Sequence, residues 1–91
     1  MSKDTRQLAD LRSVGPATVA DFRKLGITRV EQLKGRDPKK LYDRICKLTG
    51  QKQDICVLDV FQCAIAQAED PNLPRAHRNW FYWSRVRKNQ R

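Results

Sequence analysis

Ninety-one residues carry 19 Lys and Arg against 10 Asp and Glu, a formal charge of +9, with 40% hydrophobic and 32% charged residues. That length holds one domain with a single modest core, and the mixture suits a folded chain rather than a disordered one. No run approaches the roughly eighteen apolar residues of a membrane span, and "MSKDTRQLAD" lacks the apolar stretch of a secretory signal, so the sequence predicts a cytoplasmic protein with no membrane partner.

In chain order, Leu8, Ala9 and Leu11 have the spacing of a short helix over residues 5–12, which "SVGP" breaks. Val19, Phe22 and Leu25 resume an apolar stripe over residues 16–25, with Pro16 in the first turn and Gly26 as a C-cap. Thr28 and Glu31 have the spacing of a capping box, opening a helix of barely two turns that carries Val30 and Leu33. In "GRDPKKLYDRICKLTG", Asp37 is the N-cap and Pro38 the first helical residue; Leu41, Tyr42, Ile45 and Leu48 face inward, and Gly50 ends the segment.

The longest periodic run starts at Asp54. Val57, Leu58, Phe61, Ala64, Ile65 and Ala68 make a stripe broad enough to mark the central helix, widened by Val60 and two cysteines. "EDPNLP" ends it, and "RAHRNWFYWSRVRKNQR" reads as a last short helix with a basic tail. Nothing alternates with period two for long. The predicted fold is all-α: a single compact bundle of five to six short helices over residues 1–91, with a hairpin at about 6–25, a central bundle at 28–69 and an aromatic, basic C-terminal segment at 75–91.

"LADLRSVGPATVADFRKLGI" resembles the helix-hairpin-helix motif, in which a tight turn of the form Gly-hydrophobic-Gly joins two short amphipathic helices. Leu8 and Leu11 match the packing face of the first helix, Val14 the buried turn residue, Gly15 the second glycine, and Val19 and Phe22 the inner face of the second helix. Ser13 stands where the first glycine is expected, which leaves the hairpin geometry possible because that position need not demand a positive φ. A turn leading into a helix leaves N–H groups pointing outward with the positive end of the helix behind them, which suits one phosphate and reads no base sequence. Here the donors are the N–H groups of Gly15, Ala17 and Thr18, Pro16 having none, while Arg12, Arg23 and Lys24 supply positive field. The same residues also make a plain interhelical corner.

The resemblance runs further. "LGI-x-x-V-x-x-L", "DP-x-x-LY", "D-x-CVLDVF" and the terminal pair of tryptophans make residues 6 to 84 similar to the small bacterial helix-hairpin-helix proteins of the pathogenicity-locus family. The resemblance implies an all-helical bacterial domain and, through its motif, DNA binding as an expectation; it implies no reaction. Such hairpins commonly pair, and "LTGQKQDICVLDVF", with Gly50 in its turn and Ile55, Leu58 and Phe61 behind, is a degenerate candidate for a second copy. Dimerisation is another way to obtain one.

Cys46, Cys56 and Cys63 are an odd count and read as reduced structural thiols. Cys56 and Cys63 stand about 10 Å apart by helical rise, no close Cys pair gives zinc spacing even with His77 added, and no metal or other cofactor is expected. No carboxylate dyad, phosphate loop or Ser/His/Asp arrangement points to catalysis.

No acidic residue follows Asp70, whereas Arg75, Arg78, Arg85, Arg87, Lys88 and Arg91 all do. In "NWFYWSRVRK", four adjacent aromatics cannot all face one way on a helix. Trp80 and Trp83 are expected to close the bundle, with at least one of the four aromatics partly exposed; a stacking platform for single-stranded nucleic acid and a protein contact are the other readings. The leading expectation is a non-catalytic, sequence-independent binder of duplex DNA, with Ser13, Gly15, Ala17, Thr18, Arg12, Arg23 and Lys24 at the phosphate and Arg75, Arg78, Trp80, Tyr82, Trp83, Arg85, Arg87 and Lys88 as an auxiliary surface. The alternative is a protein-interaction or homodimerisation module built on the same C-terminal segment.

Overall fold

The computed structural model describes residues 5–89, so Arg91 lies outside the described residues. Four α-helices, α1 (Pro16–Lys24), α2 (Pro38–Thr49), α3 (Ile55–Glu69) and α4 (Trp80–Asn89), are joined through single 3-10 turns at Leu8–Asp10, Val30–Leu33 and Arg75–Arg78. The described residues contain no strand, and none of their helices is long and apolar enough to cross a membrane. α3 is the central element, with α2 and α4 packed against it.

Two of the helices expected from sequence are thus single 3-10 turns, and the expected last helix is divided into a 3-10 turn and α4. At residues 5–12, Asp10 turns back to accept the Gln7 N–H (2.7 Å), and only Asp10 and Leu11 donate along the turn. Arg12 cannot extend the ladder, because its N–H and C=O are both held by the side chain of Gln67 on α3. The turn at Val30–Leu33 is fixed by Gln32 rather than by Glu31: its Oε1 accepts the N–H groups of Thr28 (2.7 Å) and Arg29 (2.9 Å). Glu31 instead pairs with Arg29 at 3.3 Å.

Local signals at the longer helices give the expected result. Asp37 Oδ1 accepts the Lys39 N–H at 2.9 Å ahead of Pro38, and Gly50 closes α2 in the left-handed region with φ 68°. α1 ends on Gly26 (φ 80°), with the Ile27 N–H donating to Phe22 O (2.8 Å) and the Gly26 N–H to Arg23 O (3.0 Å). Ile27 and Phe22 are both fully buried, so the Schellman closure also brings its two apolar ends together.

The core joins the chain from the first turn to α3. Leu8, Leu11 and Val14 from the first turn, Phe22 of α1, Leu25 and Ile27 after it, Val30 and Leu33, Leu41, Tyr42 and Ile45 of α2, and Phe61, Ala64, Ile65 and Ala68 of α3 form one cluster. At its centre Phe22 stacks on Phe61, ring centroids 5.0 Å apart and 30° between planes. Leu48, expected inside, is 54% exposed. The inward stripe of α2 passes from Ile45 to Thr49, whose hydroxyl donates back to Ile45 O at 2.9 Å, and Leu48 falls beside it.

Candidate functional site

The corner between the first turn and α1 differs from expectation at both of its turn positions. Ser13 takes the left-handed conformation, φ 69°, a non-glycine residue at positive φ. Gly15 is extended, φ −98° and ψ −177°, a conformation open to any residue. The first turn position does therefore require a positive φ, and Ser13 meets it at a cost of about 1 kcal/mol. Its hydroxyl is used: Oγ accepts the N–H of Trp80 at 3.2 Å, joining the corner to the start of α4. Val14 is buried as the turn residue.

α1 opens without a side-chain cap on Gly15, and the first N–H to find a backbone partner is that of Val19, to Gly15 O at 3.0 Å. The N–H groups of Gly15, Ala17 and Thr18 meet no acceptor among the described residues. The other α-helices are capped: Asp37 serves α2, Asp54 accepts the Cys56 N–H of α3 (2.9 Å), and Asn79 accepts the Phe81 N–H of α4 (2.9 Å). A Cβ placed on Gly15 would meet nothing within 4 Å, so the approach to these donors is open. The candidate second hairpin at Gly50 is different. Its helix start is occupied by the Asp54 carboxylate, held below its ordinary range by the Cys56 N–H, and a second anion there is disfavoured.

Beside the corner runs an open groove of about 1080 Å³. Arg12, Ser13, Arg75 and Arg78 line it together with Trp80, Phe81, Tyr82, Arg85, Arg87 and Lys88 of α4; no Asp or Glu lines it. Arg12 and Ser13 of the corner thus share one surface with the aromatic, basic segment, whereas Gly15 at the start of α1 lines another. Arg12, Arg75, Arg85 and Lys88 make no ion pair among the described residues. Arg78 is partly engaged, its Nε donating to Leu73 O at 2.6 Å.

Arg87 is more fully committed. Its Nε and Nη2 donate to Asp59 Oδ1 (2.7 Å) and Oδ2 (3.0 Å), and the Asp59 side chain is only 2% exposed. Arg23 lines a second, shallower concavity with Gly15, Pro16 and Val19, and Lys24 lines neither. The charged residues expected around one phosphate are therefore divided between two surfaces.

The aromatics do not close the core. Phe81 is 56% exposed, Trp80, Tyr82 and Trp83 are half-buried, and the buried residue of α4 is Ser84. The rings instead pair with one another: Trp80 stacks on Phe81 and Tyr82 on His77, both at 4.0 Å between centroids. Trp83 anchors the helix by donating Nε1–H to His77 O at 2.7 Å. Sequence reasoning passed over Gln67, whose amide accepts the Arg12 N–H and donates to Arg12 O, each at 2.9 Å, from a nearly buried position. One of two glutamines on the central helix, beside its apolar stripe, it carries nothing in sequence that sets it apart from Gln62.

The family model described as Pathogenicity locus (Cdd1) matches residues 1–89. The chain belongs to the Pathogenicity locus family. It is similar to the "Mitomycin resistance protein McrB" of Streptomyces lavendulae, with 39% identity over 87 residues, spanning 96% of this chain and 79% of that protein. No solved structure matches it.

In this Pathogenicity locus domain the three cysteines are free. Cys63 is buried, Cys46 and Cys56 half-buried, and no group of three or more His, Cys, Asp or Glu able to hold a metal occurs among the described residues. Burial pushes the Cys63 thiol from 9.0 up to about 11. The folded chain therefore keeps a proton that the unfolded chain releases near its ordinary value. That contribution is intact below pH 9 and is lost as the pH rises toward 11, by about 2 kcal/mol. Urea denaturation at pH 8 and pH 11 is expected to show the loss, and Cys63→Ala to abolish this part of it.

Proposed function

We propose that this domain is a non-catalytic, sequence-independent DNA-binding module, its corner acting as a helix-hairpin-helix turn. The observation that carries the reading is the union of two features through Ser13: uncapped N–H groups at the start of α1, and a groove with six basic residues and no acidic one. Backbone donors at a helix start hold a phosphate without reading bases. The unpaired Arg12, Arg75, Arg85 and Lys88 supply attraction along the backbone on either side. Mitomycin resistance, the property in the name of the Streptomyces lavendulae relative, adds a phenotype to the proposal and no chemistry to the site.

Titration of labelled duplex DNA at 50 and 200 mM salt tests it. With about five phosphates neutralised, affinity is expected to fall roughly 10²- to 10³-fold between the two, and unrelated sequences are expected to bind alike. Absence of binding at low salt, or binding indifferent to salt, overturns the reading. Exposure of Phe81 and Ile55 at the groove favours a second reading, a homodimer or an acidic protein partner. A sedimentation experiment showing a dimer that duplex DNA does not disturb would support that one instead.

A further inference from the structure

Resting on the nucleic-acid reading of the groove, we infer that α4 is a platform for unpaired nucleotides, so that the domain prefers DNA with a single-stranded segment to a blunt duplex. Trp80 and Phe81 are stacked at 4.0 Å with 30° between planes, yet Phe81 keeps 56% of its surface exposed. The seam between α4 and α3 does not need that ring: Ser84 is buried in it, Arg87 reaches Asp59 across it, and Trp83 is tied to His77 O. A stacked pair with an exposed outer ring offers a π-face, and bases inside a duplex have none to give. Unpaired bases do, and base–aromatic stacking tolerates any sequence.

The cations stand where such a strand needs them. Arg85 and Lys88 follow Phe81 by four and seven residues, on the same face of α4, and all three side chains are exposed. Four residues advance the helix by about 6 Å, close enough for a nucleotide to place its base on the ring and its phosphate on the Arg85 guanidinium. Arg12, next in sequence to Ser13 of the corner that would hold the duplex backbone, also lines the groove, and no carboxylate in it repels either strand. Charge complementarity and ring exposure select an unpaired nucleic-acid strand over an uncharged peptide.

The chain has two tryptophans, Trp80 and Trp83, both in α4, so their fluorescence reports on this surface. The probes are a blunt duplex and the same duplex bearing an oligothymidylate tail. The tailed duplex is expected to bind about tenfold more tightly and to quench the emission. Phe81→Leu is expected to remove that advantage without changing affinity for the blunt duplex, and Phe81→Tyr to retain it. Equal affinity for the two probes, or a leucine variant that behaves like the parent, overturns the platform and leaves the duplex reading standing. Failure to bind either probe overturns both. A self-associating protein made monomeric by Phe81→Leu would assign the ring to a dimer contact and also overturn the platform.

Discussion

Replacement of Arg87 by alanine is expected to destabilise the fold by about 3 kcal/mol, the largest effect of any single change on the groove side. Both donors to Asp59 vanish with the guanidinium, and the carboxylate, 2% exposed in the parent, is left with neither oxygen bonded to another described residue. The cost is set by the stranded anion more than by the lost attraction. Because the Arg87 side chain is 31% exposed, the lower end of the range for broken buried pairs applies. Thermal unfolding is expected to shift down by more than about 10 °C. The double change Asp59→Leu with Arg87→Met is expected to recover most of the loss, since it removes the buried charge together with its partner. A single variant as stable as the parent would show that water already solvates Asp59.

The same geometry separates Arg87 from its neighbours in function. Its charge is largely neutralised by Asp59, whereas Arg85 and Lys88 face the groove without an ion-pair partner. Arg87 is accordingly a structural element of the proposed surface, and the field there belongs to Arg12, Arg75, Arg85 and Lys88.

What could be read from sequence was what short-range chemistry decides. Asp37 before Pro38, Gly50 after α2 and Gly26 after α1 act through bonds within a few residues, and the structure places each as expected. Leu8, Leu11, Val14 and Phe22 were legible as core because their spacing matches one buried face. The first arm was not legible as a 3-10 turn, since the tie that stops it comes from Gln67, fifty-five positions away. The left-handed Ser13 was hidden for a related reason: its hydroxyl partner is Trp80, at the other end of the chain. Aromatic clustering suggested core closure because large rings usually bury; here Ser84 fills the seam, and the rings gather beside the corner. The candidate site was therefore legible as two fragments, and only the tertiary structure joins them.

Gln67 tests how far that join matters. Its side chain is 4% exposed and grips both polar groups of the Arg12 backbone at 2.9 Å, with a further bond from Nε2 to Cys63 O at 3.3 Å. Leucine at this position has a similar reach and no polar atom, so Gln67→Leu leaves the Arg12 N–H and C=O without partners at the edge of the core. Two unsatisfied backbone groups are expected to cost about 2 kcal/mol, measurable as a lower urea midpoint with unchanged slope. Glutamate supplies the acceptor and lacks the donor, so Gln67→Glu keeps the bond from the Arg12 N–H and removes those to Arg12 O and Cys63 O. Amide chemical shifts are expected to move at Arg12, Ser13 and Trp80 in both variants, because Ser13 passes any displacement of the corner to α4. If the corner is the phosphate site, Gln67→Leu also weakens duplex DNA binding under conditions where the variant stays folded, although Gln67 lines neither the groove nor the exposed start of α1. Loss of stability with full DNA affinity would confine Gln67 to the fold and place the binding energy on the groove cations alone.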